Sequence, residues 1–337
     1  MKFISGAELN RLLLYPDLVR ALQESFARYR AHGWIIPQRT VAEIKQGTLI
    51  TMPAADASHL GIKVITVFRA NSDKGIPVVQ ALYMLFEAAT GTPLAQLDGD
   101  TLTARRTAAT SALASKLLAR KEASVLSVFG AGVQARAHIA ALLQTQTAVR
   151  KVLICSRNQK RARELAAEME SSQKKSEGAA SDGFRPQATH EARRPGAYIE
   201  YEVTAAETAT RQADILCTCT TSITPVLRGE WLKPGAHINA IGAYQPTTRE
   251  IDDETVRRAR IFVEIRESAM AEAGDLLIPL RAGLISESEI VADLPALTSG
   301  VAAGRTASDE ITLFKSTGHA LEDLTAAKMA YESSSHG

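Results

Sequence analysis

Along the first third of the chain, the spacing of apolar residues changes from one segment to the next. Over residues 16–32 they recur at helical intervals, with Leu18, Leu22 and Phe26 on one stripe and Gly33 just beyond, which predicts a helix. Four short runs then follow, at residues 40–44, 48–52, 62–68 and 80–86, each rich in β-branched and other apolar side chains. Turn-forming stretches such as Ala70-Asn71-Ser72-Asp73-Lys74-Gly75 and Ala88-Ala89-Thr90-Gly91-Thr92-Pro93 separate them. Short strands joined by turns predict a mostly antiparallel or mixed sheet. Residues 103–118, rich in alanine, read as a long helix.

From residue 124 the rhythm becomes strand, helix, strand. Apolar strands are predicted at 125–129, 151–155, 198–203, 214–220, 236–241 and 261–264, with helices at 134–143 and 159–170. Such alternation marks a parallel sheet covered on both faces. The tail, residues 314–330, reads as a helix that returns to the first domain. The expected fold class is therefore α/β: a Rossmann-type parallel-sheet domain over residues 119–309, and an α+β domain from 1–118 and 310–337. Residues 171–196 break the pattern. They are polar, rich in Ser, Gly, Pro, Arg and Lys, and predict a mobile surface excursion.

Composition narrows the function classes. Hydrophobic residues make up 45% and charged residues 23%, the balance of a water-soluble globular protein. A net charge of +2 with both signs interspersed gives no reason to expect nucleic acid or an anionic membrane as partner. No apolar run approaches the roughly 18 residues of a membrane span, and the N-terminus turns polar too early for a signal peptide. The cysteines, Cys155, Cys217 and Cys219, are an odd set with no partner at metal-ligand spacing. Small buried thiols in a cytoplasmic protein without a metal site are expected.

The strongest chemical signal is Ser127-Val128-Phe129-Gly130-Ala131-Gly132-Val133-Gln134-Ala135, which reads G-x-G-x-x-A after a strand and at a helix start. Gly130 permits the tight turn, Gly132 lets a pyrophosphate approach the backbone, and Ala135 lets helix and strand pack closely. The free N–H groups at the helix start, from Val133 and Gln134 onward, favour a phosphate. An NAD-type fingerprint would place a carboxylate at the end of the second strand to bind the ribose. Here Cys155-Ser156-Arg157-Asn158 stands there, with Lys160 and Arg161 behind. A hydroxyl and guanidinium groups suit a 2′-phosphate, so NADP(H) is expected to be preferred, with NAD(H) possible.

Three cations outside this region stand out: Arg39, Lys63 in the middle of an apolar strand, and Arg106 in Arg105-Arg106-Thr107-Ala108-Ala109. Singly each reads as a surface residue with a buried stem, but together they can hold a carboxylate. At this point the chain resembles the ornithine cyclodeaminase/μ-crystallin family nearly end to end. The resemblance rests on the Lys63 strand, Leu85-Phe86-Glu87, Leu97-Asp98-Gly99, Arg106-Thr107-Ala108-Ala109 and the Gly130 motif. It continues through Trp231-Leu232-Lys233-Pro234-Gly235-Ala236-His237-Ile238-Asn239-Ala240-Ile241-Gly242-Ala243, Ala273-Gly274-Asp275 and Phe314-Lys315-Ser316. It implies a homodimer joined through N-terminal domains that also bind substrate, with the active site between domains. It implies that Arg39, Lys63 and Arg106 match substrate-carboxylate residues, and that Thr107, Thr218, Ile241 and Ser316 match cofactor contacts.

One departure separates the branches of that family. Cyclodeaminases and the related alanine dehydrogenases carry an acid/base Asp soon after the Ala-Ile-Gly stretch, where this chain has Tyr244. Without that group, releasing ammonia from an amine is harder than reducing a ready-made C=N bond. The resemblance therefore points to NADPH-dependent reduction of a cyclic ketimine carboxylate, Δ1-pyrroline-2-carboxylate or Δ1-piperideine-2-carboxylate, giving proline or pipecolate. The alternatives are ornithine cyclodeaminase, an alanine-type amino-acid dehydrogenase, and a μ-crystallin-like protein that only binds a small ligand.

Overall fold

The computed structural model describes residues 1–31, 33–181 and 198–335. The chain divides into two compact units, one formed by Met1–Thr110 with Gly318–Gly337, the other by Ser111–Thr317.

In the first unit, strand β1 (Lys2–Ile4) is followed by helices α1 (Gly6–Leu12) and α2 (Tyr15–Arg28). Helix α1 starts at a capping box in which Ser5 and Glu8 satisfy each other's backbone N–H groups. Strands β2 (Thr40–Ile44), β3 (Gly47–Ala55), β4 (His59–Val67), β5 (Val79–Glu87) and β6 (Pro93–Asp98) follow, then α3 (Gly99–Leu118), which belongs to this unit as far as Thr110 and to the second from Ser111. Among the described residues these strands make a six-stranded sheet in the order β1-β6-β5-β4-β3-β2, antiparallel except where β1 joins β6. It is the mixed sheet expected from the strand spacing. The two-residue period sends Ile50, Met52, Ala54, Gly61, Lys63, Tyr83, Leu85, Ala95 and Leu97 to a buried face. The C-terminal helix, Ala320–Ser335, packs against α2 and strands β3 to β5 in this unit. Leu49, Ile62, Val64, Leu82, Met84 and Phe86 occupy the alternate positions and are half-buried or exposed.

The second unit alternates as the sequence predicts: β7 (Val125–Phe129), α4 (Val133–Thr145), β8 (Lys151–Cys155), α5 (Gln159–Ser181), β9 (Glu200–Val203), α6 (Ala206–Gln212), β10 (Ile215–Thr218) and β11 (His237–Ala240). Then come α7 (Asp253–Arg258), β12 (Ala259–Val263), α8 (Arg266–Glu272), α9 (Gly274–Arg281), β13 (Ile290–Asp293), α10 (Leu294–Thr298) and β14 (Ile311–Lys315), which leaves the C-terminal helix as α11. The sheet is parallel throughout, in the order β13-β12-β14-β11-β10-β7-β8-β9. Most strand positions, polar ones such as His237, Asn239 and Lys315 included, are buried, as a parallel sheet packed among helices requires. The chain reverses direction across the sheet beside β7, where β8 lies on one side and β10 on the other.

Two expectations are corrected. Phe314 and Lys315 end a central strand, β14, rather than starting a helix; α11 begins at Ala320, after Gly318 at φ 81°. Ile311–Lys315 is buried along its whole length, and continuous apolarity does not distinguish a central parallel strand from a helix. Residues 171–181 continue α5 instead of forming a loop, since Gln, Lys, Glu and Ala favour helix even without an apolar face. Residues 182–196 of that expected excursion lie outside the described residues.

Candidate functional site

Where the sheet of the second unit changes direction, the carboxyl ends of β7, β8 and β10 open into a cavity of about 910 Å³. Crevices at such a point are where doubly wound sheets bind ligands. Gly130 has φ 114°, and a Cβ there would lie 2.5 Å from the Cys219 carbonyl oxygen, so only glycine fits the turn. At Gly132 nothing lies within 4 Å of where a Cβ would be, leaving backbone open to a ligand. Val133 and Gln134 begin α4, whose unpaired N–H groups face the same turn. Across the cavity stand Ser156, Arg157, Asn158 and Arg161. Asn158 caps α5 by accepting the Arg161 N–H at 3.0 Å, and its own N–H donates to Ser156 Oγ at 3.2 Å. Arg157 and Arg161 are exposed. A glycine cradle at one helix start and two guanidinium groups at the next fit a pyrophosphate and an additional phosphate.

Cys155 and Cys219 also line this cavity, while Cys217 is buried in β10. Burial pushes the Cys155 thiol up to about 11 and Cys217 up to about 12, so all three residues act as small apolar groups near neutral pH. Thr218, Ile241 and Ser316 are buried at the carboxyl ends of β10, β11 and β14. Ser316 Oγ donates to Glu264 Oε1 at 2.7 Å. Tyr244 lies half-buried four residues past the end of β11.

The first unit brings Arg39, Lys63 and Arg106 to one place. Lys63 points from the middle of β4 onto the buried face and is fully buried. Its Nζ meets Asp323 at 2.8 Å. Arg106 Nε donates to the same Asp323 Oδ1 at 2.9 Å, and its Nη1 donates to Glu322. Arg39 donates to the Gly318 carbonyl, and the Arg106 guanidinium lies against the Gly318 Cα, where a Cβ would come within 2.9 Å. The turn at Gly318 and the first turn of α11 therefore gather all three cations. Thr107 follows Arg106 on α3 and is buried.

Burial, and then the charge of Arg106, bring Lys63 down to about 8. Burial works to raise Asp323, but Arg106 and Lys63 outweigh it and hold the carboxyl below its usual range. Tyr83 stands opposite Lys63 in the β4–β5 register, fully buried, with no hydrogen-bond partner on its hydroxyl. Sequence reasoning missed Glu322, Asp323 and Tyr83. Two acids at the start of a helix read as partners of the helix dipole. Only the fold shows otherwise, by burying that helix start, where ionised groups need counter-charges.

A parallel-sheet unit with a dinucleotide cavity, joined to a unit with a buried cation cluster, defines a two-unit dinucleotide-dependent oxidoreductase. The chain belongs to the ornithine cyclodeaminase/mu-crystallin family, which it matches over residues 2–183 and 181–337. It is 35% identical to the ketimine reductase mu-crystallin of Mus musculus, over 96% of this chain and 93% of that one. Among solved structures, a Δ1-pyrroline-2-carboxylate reductase of Thermococcus litoralis in complex with NADH and L-proline superposes with a TM-score of 0.88 at 34% identity. That match covers 100% of this chain and 98% of the other. An archaeal alanine dehydrogenase dimer with bound NAD gives 0.85 at 31% identity, covering 100% and 96%.

Proposed function

We propose that this protein is an NADPH-dependent reductase of a cyclic ketimine carboxylate, converting Δ1-pyrroline-2-carboxylate or Δ1-piperideine-2-carboxylate to proline or pipecolate. The observation that carries the substrate class is the cluster of the first unit. Its three cations converge on one turn, Arg39 and Arg106 at Gly318 and Lys63 and Arg106 at Asp323. Two guanidinium groups and an ammonium brought together suit a substrate carboxylate, with Arg39 and Arg106 as the grip. Lys63, held by Asp323 and brought close to neutral pH, supplies a proton to the imine nitrogen directly or through water. When bound, the dinucleotide supplies the hydride that C2 accepts, so that C=N becomes CH–NH. Tyr244, in place of an acidic residue past β11, favours imine reduction over ammonia release.

The preference for NADPH rests on Ser156, Arg157, Asn158 and Arg161 at the start of α5. Thr107, Gly130, Gly132, Val133, Gln134, Thr218, Ile241 and Ser316 are the further cofactor-binding residues in this reading. The first unit is then the substrate-binding and dimerisation domain, and the second the NADP-binding domain. A homodimer is supported by the half-exposed apolar side chains on the uncovered sheet face and by the dimeric alanine dehydrogenase. Among the described residues no helix is long and apolar enough to cross a membrane, and the free thiols favour a cytoplasmic setting.

The test is turnover of NADPH with each cyclic imine, run beside NADH, beside pyruvate with ammonia, and beside ornithine. Turnover with the imines and NADPH, and little with the others, is expected. Ammonia released from ornithine, or faster turnover of pyruvate, would reject the reading. Lys63→Ala is expected to lose most turnover while binding NADPH as before; loss of both together would reject the role given to Lys63.

A further inference from the structure

At the carboxyl end of the second unit's sheet, one fully buried carboxylate, Glu250, joins three separate segments. Glu250 Oε2 accepts the Thr218 hydroxyl and the Gly242 N–H, both at 2.7 Å, and Oε1 accepts the Thr220 N–H at 2.6 Å. The ends of β10 and β11 are therefore tied to the same group. The Glu250 carbonyl accepts the N–H groups of Val226 and Leu227 at 2.7 and 3.1 Å, which adds the loop after β10. Asp275 holds Glu250 in turn: its Oδ1 accepts the Glu250 N–H at 2.7 Å, and its Oδ2 lies 2.8 Å from Lys315 Nζ, which also donates to the Ala243 carbonyl. Lys315 ends β14 and, like Asp275, is fully buried. Packing is close enough that a Cβ on Gly242 would lie 2.2 Å from the Thr220 carbonyl oxygen and 2.6 Å from Glu250 Oε1.

The place of this network gives it a role. One wall of the cavity is the end of β8 and the β7–α4 turn, where the adenosine and pyrophosphate side of a dinucleotide would lie, and its other wall is Cys219, Thr220, Thr221, Ser222 and Val226. A dinucleotide crossing the point where strand order reverses carries its second nucleotide toward β10 and β11. Of that wall, Thr220 is held by the Glu250 carboxylate and Val226 by its carbonyl. We infer that Glu250 is a positioning residue for the nicotinamide half of the cofactor, shaping the loops after β10 and β11 without touching the cofactor itself. Burial, and then the nearby Asp275, push the Glu250 carboxyl above its usual range, while the Thr220 and Thr218 donors and Lys315 favour the ionised form, the form that accepts all three donors at once.

Glu250→Gln tests this, because the amide sets an N–H group against one of the three donors while keeping size and shape. Calorimetry would compare two ligands on the variant and the parent: NADPH, with NADH beside it, and ADP, which has adenosine and pyrophosphate but no second nucleoside. The inference rests on the dinucleotide reading alone, and the parent protein separates the two failures: if it binds neither ligand, that reading falls. The Kd for the dinucleotide is expected to rise about tenfold, the size of one charge-assisted hydrogen bond, while ADP stays within about twofold. Equal weakening of both, or of neither, would overturn the positioning role. If Glu250→Gln does not fold, Glu250→Asp, which keeps the charge but draws the carboxylate back from its three donors, should show the same split at about threefold; no split there would overturn it equally.

Discussion

Lys63 shows how far one residue's role depends on its surroundings. A lysine in the middle of an apolar strand is costly unless paired, and here one aspartate serves both it and Arg106. Because burial brings Lys63 to about 8, its proton is lost within the working range of an enzyme. If Lys63 must be protonated, kcat/KM should fall as pH rises through about 8. Asp323 favours the charged form, so Asp323→Asn should move that limb to lower pH and cut turnover by at least about tenfold. A pH profile unchanged by Asp323→Asn would contradict the coupling. Lys63 stood out as a charge inside an apolar strand, whereas Arg39 and Arg106 read singly as surface arginines and were given a role with it by the family resemblance. Asp323, Glu322 and Glu250 were not, because a carboxylate at a helix start or in a polar loop reads as ordinary surface until the fold buries it.

At the scale of elements, the strand before Gly130 was legible to the residue and the helix after it to within one residue at its start and two at its end, since the glycines between have a backbone reason that sequence states directly. The start of α5 was equally open to reading, as the residues that line the cavity there are those following β8. Arg157→Ala should therefore weaken NADPH about tenfold and NADH hardly at all, measured as separate KM values; equal losses would mean that Arg157 does not meet the 2′-phosphate. The end of the chain was read less well. Strand β14 carries no alternation because both faces are covered, and Lys315 looked like a polar helix position although Asp275 neutralises it inside the sheet. The β4 and β5 strands were legible as short apolar runs bounded by turn-forming stretches, not by alternation, since side chains on both of their faces are largely apolar.

Across the whole molecule, buried histidines set a limit on acid stability. His138 on α4 carries its proton on Nδ1, donating to the Gln134 carbonyl at 2.8 Å, while Nε2 accepts from Ser111 Oγ at 2.9 Å. Burial brings it down to about 4, and burial with the charge of Arg305 brings His237 down to about 3. Both stay neutral in the fold while the unfolded chain takes up protons below about 6.5. Their contribution is therefore complete above that pH and is lost as pH falls toward the folded values, by up to about 1.4 kcal/mol per pH unit for each group. Thermal unfolding should shift down between about pH 6.5 and 5, and His138→Gln should remove about half of the dependence that these two groups produce. A melting temperature flat over that interval would contradict it.

If the protein works as proposed, hydride goes from the nicotinamide to C2 of a cyclic imine whose carboxylate is held by Arg39 and Arg106. Incubation of the enzyme with NADPH deuterated at C4 of the nicotinamide and with each imine, followed by mass spectrometry and NMR of the product, tests it most directly. One deuterium at C2 of proline or pipecolate, from the label on one face of the ring, is the result this account requires. Product without deuterium at C2, or no product from either imine while ornithine gives proline without added reduced cofactor, would contradict it.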